Sequence, residues 1–276
     1  MIVLDGAMGT ELARRGVDTR GPLFSAAALL DAAGRKLILD IHKQYVAAGA
    51  QVITANTFRT NPRKAGPGWR ALTQAAVRLA RESGAQVVAG SIAPVEDCYR
   101  PALRPASEVA FEEDRQLARA LAEAGCDLLL VETVAAADEG LAAVEAAAST
   151  ALPVWVSAMV TPEGTMLSGD DLRAFFRAAR GASARLINCT PCDGIDGALD
   201  AADGAYAHMG EVDPASGWPS QPLLSPEEYA ARAKKWIERG ATVVGGCCGT
   251  TPAHVAALAR ISPIRHDPCH PERRIE

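Results

Sequence analysis

The feature that most constrains this chain is an alternation. Eight short apolar runs are separated by long alanine- and leucine-rich stretches. The runs are Ile2-Val3-Leu4, 52–55, 87–89, 128–131, 154–160, 185–187, 205–207 and Val243-Val244. A continuous apolar run fits a parallel strand, because both faces of such a strand are covered. The stretches between them carry helical spacing, with Ile41, Tyr45 and Val46 in one and Leu117, Leu121 and Ala124 in another. Gly49, Gly84, Gly125 and Gly240 each stand just before a run, where a helix ending in a left-handed residue needs glycine. Ser225-Pro226-Glu227-Glu228 has the cap, first-turn proline and early acids of a helix start, and Thr251-Pro252 repeats the pattern. Eight strands separated by helices predict a (β/α)8 TIM barrel. The alternative is a doubly wound open sheet, but no Gly-x-Gly-x-x-Gly turn follows the first run. The barrel is expected as a single domain over 1–262. Polar, proline-marked residues 263–276 then read as a loose tail.

Charge and composition narrow the function. The net charge is −5, with no run of lysine or arginine, so the chain has no electrostatic reason to hold nucleic acid. Aromatic residues make up 5%, too few for base-stacking platforms. The opening apolar segment is too short for a signal peptide, and no apolar stretch is long enough for a membrane helix, so a cytoplasmic location is expected. Seven cysteines, an odd number, point to reduced thiols rather than a disulfide frame.

In such a barrel chemistry gathers at the C-terminal ends of the strands. Asp5-Gly6, Asn56-Thr57, Glu132-Thr133, Asn188-Cys189 and Gly245-Gly246-Cys247-Cys248-Gly249 all fall there. A single acid after a strand is as readily a solvated end or a cap; two acids and three cysteines on one rim ask for more. Adjacent strand residues point to opposite faces, so Cys247 and Cys248 meet one ion only where the strand breaks into a turn. The flanking glycines permit that turn. Zinc prefers thiolates and imidazoles in a tetrahedron, and Cys189 offers a third ligand. From spacing alone the cysteines read equally as ligands or as packing. Cys189-Thr190-Pro191-Cys192 also matches C-x-x-C, with Cys192 taken as incidental. Cys98 and Cys126 read as loop and packing residues, His42 and His254 as ordinary helix residues. His266, Cys269 and His270 read as incidental to the tail.

At these residues the chain resembles the zinc-dependent homocysteine S-methyltransferases. That family includes betaine- and S-methylmethionine-dependent enzymes and the homocysteine domain of cobalamin-dependent methionine synthase. The resemblance is carried by Asp5-Gly6-Ala7-Met8-Gly9-Thr10-Glu11-Leu12, Thr54-Ala55-Asn56-Thr57-Phe58, Val131-Glu132-Thr133, Asn188-Cys189 and 245–252, in family order. It implies a barrel with zinc on Cys189, Cys247 and Cys248, transferring methyl to homocysteine to give methionine. It implies that Asp5 and Glu132 hold the amino group, and that backbone near Gly6, helped by Thr57, receives the carboxylate. One segment departs from the pattern: Ala207-His208-Met209-Gly210 stands where the family usually carries a Pro-Asn-Ala-Gly-like turn. That turn is expected to shape the donor side.

Several alternatives stay open. The acceptor is homocysteine or another small thiol or selenol. The methyl donor is a small molecule or a corrinoid or folate carried by a partner protein, and self-association into a homo-oligomer is compatible with either. A zinc-binding regulatory relic without turnover is the reading that the intact acids and cysteines oppose.

Overall fold

The computed structural model describes residues 1–210 and 224–261. The predicted tail and its His266, Cys269 and His270 lie outside the described residues. The strands are β1 (Ile2–Val3), β2 (Val52–Ala55), β3 (Val87–Ile92), β4 (Leu128–Val134), β5 (Val154–Ala158), β6 (Ala184–Asn188), β7 (Gly204–Ala207) and β8 (Val243–Gly246). All pair in parallel, in the order β1-β8-β7-β6-β5-β4-β3-β2. The ring closes between β1 and β2 through the parallel bridge Leu4↔Val52, supported by Gln51, whose side-chain oxygen accepts from Val3 N–H at 3.0 Å. This closure makes the chain a (β/α)8 barrel and excludes the open sheet.

Around the barrel run α1 (Gly9–Arg14), α2 (Ala32–Ala47), α3 (Pro62–Ala65), α4 (Trp69–Glu82), α5 (Ser107–Glu123), α6 (Ala137–Ala148), α7 (Leu172–Ala178), α8 (Cys192–Ala198), α9 (Pro226–Glu238) and α10 (Pro252–Ile261). Ser225 forms the expected capping box on α9 with Glu228. The four glycines predicted to end helices all have positive φ. Some boundaries differ from expectation. Helix α2 begins at Ala32, earlier than its apolar stripe suggested, because Asp31 caps it through Gly34 N–H at 2.7 Å. Strand β5 stops at Ala158, and Val160 joins only an antiparallel bridge to Met166.

Two apolar layers hold this frame. The outer one, between sheet and helices, includes Ile38, Leu117, Leu121, Phe175 and Trp236. The inner one fills the barrel with every second strand residue: Ile2 and Leu4, Val87 and Ala89, Leu128 and Leu130, Ala184 and Leu186. Continuing that alternation toward the C-terminal rim gives Ser91, Glu132 and Asn188. The packed interior therefore ends in a polar layer, and the cavity opens above it.

Candidate metal and substrate site

The cavity, about 1030 Å³, lies over the C-terminal strand ends. Its lining brings together Asp5, Gly6, Glu132, Cys189, Cys247 and Cys248. Six of the seven residues singled out in the sequence are thus on one wall. Thr57 is not. Its side chain is fully buried, and its hydroxyl donates to the Ser91 carbonyl at 2.9 Å, while Asn56 and Phe58 line the cavity on either side of it.

At one end stand the acids. Asp5 accepts from Thr54 N–H at 2.8 Å and from the Thr54 hydroxyl at 3.0 Å. Glu132 accepts from the Ser91 hydroxyl at 2.5 Å and from the Tyr206 hydroxyl at 3.4 Å. Neither is in an ion pair with lysine or arginine among the described residues. Burial pushes Asp5 up to about 8, with a smaller push from Glu132. Burial likewise raises Glu132 to about 7, partly offset by the Ser91 hydrogen bond. Two buried carboxylates with neutral donors and, among the described residues, no lysine or arginine partner suit an external cation, since an opposite charge offsets the desolvation that their hydrogen bonds leave. At Gly6 the backbone runs close to its neighbours: a Cβ there would stand 2.8 Å from the Tyr45 ring and 2.9 Å from the Thr250 hydroxyl.

At the other end stand the sulfurs. Cys189, Cys247 and Cys248 have their Sγ atoms within 4.8 Å of one another, and Cys189 and Cys247 are 2.9 Å apart. The turn that the cysteine pair requires is present. Strand β8 ends at Gly246, Thr250 N–H returns to the Cys247 carbonyl at 3.1 Å, and Gly249 takes φ +86°. A Cβ on Gly249 would stand 2.6 Å from the Met209 carbonyl oxygen, so only glycine fits. The turn is pinned by Thr10, which accepts from Gly249 N–H at 3.0 Å, and by Met209 N–H, which donates to the Cys248 carbonyl at 2.7 Å. The 207–210 segment thus supports the cysteine turn directly. The sulfurs hydrogen-bond one another. Cys247 and Cys248 donate to Cys189 and hold it well below the ordinary thiol range, with a further contribution from His208. The same hydrogen bonds push Cys247 and Cys248 up.

The two ends are tied through Asn188, which the inward alternation of β6 places between them. Its side-chain oxygen accepts from Thr133 N–H at 3.0 Å and from Ser157 at 2.7 Å, and its amide donates to the Thr133 hydroxyl at 3.1 Å. Thr133 and Cys189, which follow Glu132 and Asn188, both take positive φ, +62° and +47°. Such angles are strained for these residue types and persist where surrounding bonds enforce them. Here they turn Glu132 and Cys189 onto one wall, helped by a bulge in β4 between Val131 and Val134.

Cys126 and Cys192 are apart from the cluster. Burial raises the Cys126 thiol to about 12 and the Cys192 thiol to about 11. Cys98 lies at the edge of the sulfur cluster and is raised to about 12 by burial. His42 is fully buried in α2 and pushed down to about 3 by burial. His254 Nδ1 accepts from Thr251 N–H, at the start of α10. Sequence reading missed Thr54, Ser91, Tyr206 and Tyr99. Counting every second residue along β2, β3 and β7 would have found the first three. Tyr99 lies in irregular chain between β3 and α5 and had no such signal.

Comparison with known proteins follows the same lines. A family model described as homocysteine S-methyltransferase matches residues 2–262. A homocysteine S-methyltransferase of Escherichia coli is 31% identical, with 94% of each chain covered. Homocysteine S-methyltransferase YbgG of Bacillus subtilis is 30% identical over 94% of this chain and 93% of its own. The solved structure of the metallated form of the Escherichia coli homocysteine methyltransferase MmuM superposes with a TM-score of 0.80 at 28% identity, covering 95% of this chain and 96% of that one. The apo form of the same protein superposes with a TM-score of 0.72.

Proposed function

The chain belongs to the homocysteine S-methyltransferase family and transfers a methyl group to the thiol of homocysteine, forming methionine; we propose that it does so on a zinc ion held by Cys189, Cys247 and Cys248. The observation that carries this reading is a single cavity with three clustered sulfurs at one end and two uncompensated carboxylates at the other. The donor set fits. Tetrahedral zinc with bonds of about 2.3 Å holds its sulfurs about 3.8 Å apart, and sulfurs already within 4.8 Å need only small shifts to reach that. Three thiolates favour zinc over hard cations, and with three protein ligands one position stays open for a substrate atom.

Bound zinc supplies the positive charge that keeps the homocysteine sulfur deprotonated, where a free thiol of pKa about 8.5 stays mostly protonated at neutral pH. The rest is done by the chain. Three cysteine thiolates leave the centre net negative, so the substrate sulfur keeps its electron density and its nucleophilicity. Asp5 and Glu132 take the ammonium group, with Thr54, Ser91 and Tyr206 fixing their carboxylates. The substrate carboxylate is assigned to backbone around Gly6. Thr57 supports that wall from behind, through its bond to Ser91. With both ends of homocysteine held, orientation alone lowers the barrier by several kcal/mol, about 7–11 at best. Sulfur attacks the donor methyl without a general base.

The cavity exceeds the volume of a small amino acid several times over and leaves space for a small-molecule donor beside it. No described helix is long and apolar enough to cross a membrane. A cytoplasmic role in methionine biosynthesis, where thiols stay reduced, suits a three-cysteine site. Metal quantification on freshly reduced protein, followed by homocysteine with a panel of onium and folate donors, tests the reading. One zinc per chain and methionine from one donor is the expected result. Zinc without methionine from any donor would point to a partner protein as donor, and reduced protein that never binds zinc would overturn the metal assignment.

A further inference from the structure

A thiolate-rich methyltransferase has a selectivity problem. The substrate sulfur and three cysteine sulfurs are all nucleophiles gathered at one ion, and the donor methyl arrives among them. Methylation of a ligand would convert a thiolate into a thioether and cripple the site. Tyr99 stands over one of the three sulfurs. Its hydroxyl lies 3.6 Å from Cys189 Sγ, its ring lines the cavity, and it is 41% exposed despite its size. Cys189 is itself only 7% exposed.

The position of Tyr99 is fixed through the segment after β2. Arg59, 9% exposed, donates through Nη1 to the carbonyls of Pro94 at 2.8 Å and Glu96 at 2.9 Å, and its guanidinium stacks 4.8 Å over Phe58. Lys64 and Arg63 both pair with Glu96, at 2.5 and 3.2 Å. The chain from 94 to 99 is therefore bolted to the segment after β2, and Tyr99 is its end. The acids are held by other residues, Thr54, Ser91 and Tyr206.

We propose that Tyr99 shields Cys189 from methylation, its hydroxyl donating to the thiolate and its ring blocking the approach of an electrophile from the cavity. The proposal rests on the metal reading above, since a metal-bound thiolate carries no proton and the phenol must then be the donor. A hydrogen bond to the attacking sulfur lowers its nucleophilicity and leaves the substrate sulfur as the more reactive of the two.

The test uses zinc-loaded protein without homocysteine and iodomethane as the electrophile. Thiolate sulfur attacks the methyl carbon, the carbon–iodine bond breaks, iodide leaves with the electron pair, and S-methylcysteine remains. Peptide mass spectrometry follows the 189, 247 and 248 positions in wild type, Tyr99→Phe and Tyr99→Ala. Cys126, buried behind the barrel, should stay unmodified in all three and so report an intact fold. In wild type Cys189 should lag behind Cys248. Tyr99→Phe, which removes only the hydroxyl, should raise the Cys189-to-Cys248 ratio about tenfold, the factor that a hydrogen bond to a charged group is worth. Tyr99→Ala should raise it further. An unchanged ratio in both variants, with zinc present, would overturn the shield and leave the metal reading standing. Absence of zinc from the wild type would strike the metal reading itself.

Discussion

At the β1–β4 end of the cavity two buried carboxylates have, among the described residues, no lysine or arginine partner, and at the β6–β8 end three cysteine sulfurs crowd together. The carboxylates are held by single neutral donors, Thr54, Ser91 and Tyr206, and each keeps its own raised pKa. The sulfurs are held by one another, Cys247 donating to Cys189 at 2.9 Å. The difference teaches which cation each end awaits. Separate acceptors of fixed direction suit an ammonium with its three N–H donors. Mutually close soft sulfurs suit a metal ion that replaces their protons. On the proposed reading one cation belongs to the protein and the other arrives with the substrate, and mutations should separate them.

The largest effect is expected at the sulfur end. Cys247→Ala removes a ligand and should lose zinc and methionine formation together. Loss of metal assistance is worth about 4 kcal/mol, roughly 10³-fold in rate or more. Metal analysis alongside the assay decides it, and full activity without bound metal would end the proposed role. Glu132→Gln should act at the other end alone. It keeps the shape but removes one charge facing the ammonium, so homocysteine affinity should fall by about 2 kcal/mol, roughly 30-fold, with zinc content unchanged. Stripping of metal by this change would show that the two ends are not separable.

The acids also predict a dependence on pH. Their folded pKa values, about 8 for Asp5 and about 7 for Glu132, lie above the usual unfolded carboxylate range near 4. Between those limits the folded protein binds more protons than the unfolded chain, so the stability of the substrate-free form should fall as pH rises from about 4 to 8 and then level off. Binding runs the other way, because the ammonium needs ionised carboxylates. Methionine, which carries the ammonium but no thiol, should bind more tightly as pH rises through 7 to 8, by at most about tenfold per unit for each titrating group. Calorimetry on wild type and Glu132→Gln checks this: the variant should show a flatter profile, and identical profiles would remove Glu132 from the ammonium site.

Much of this was legible in the sequence because parallel strands are covered on both faces and print themselves as apolar runs. The rim was legible for the opposite reason: Asp5, Glu132 and the Cys247-Cys248 pair interrupt such runs with residues that strands bury only for use. What stayed hidden depends on three-dimensional neighbours. Strand β3 continues through Gly90 and Ser91 because β2 and β4 pair with it there, which the apolar pattern cannot express. Barrel closure rests on the bridge from Leu4 and the side chain of Gln51, whose role no local pattern marks. Tyr99 reaches Cys189 from a loop 90 residues away in sequence, positioned by Arg59.

Thr57 offers the smallest and sharpest test of that distinction. It stands two residues past β2, in a segment that carries the family resemblance, yet the alternation that turns Thr54 and Asn56 toward the cavity turns Thr57 away from it. Its hydroxyl bonds the Ser91 carbonyl, and Ser91 in turn bonds Glu132. If contact with substrate is what matters, Thr57→Val should raise the KM for homocysteine strongly. If the buried bond is what matters, the same change leaves an unpaired carbonyl in a site of unchanged shape. The expected cost is then about 1 kcal/mol of stability, or roughly 2–4 °C in Tm for a chain of this size, with KM within about twofold. The structure favours the second outcome, since the acid end is built by strand alternation and Thr57 is out of phase with it. A many-fold rise in KM at unchanged Tm would place the Thr57 hydroxyl in the cavity when substrate is bound, and would make the acid end a site that rearranges on binding while the sulfur end does not.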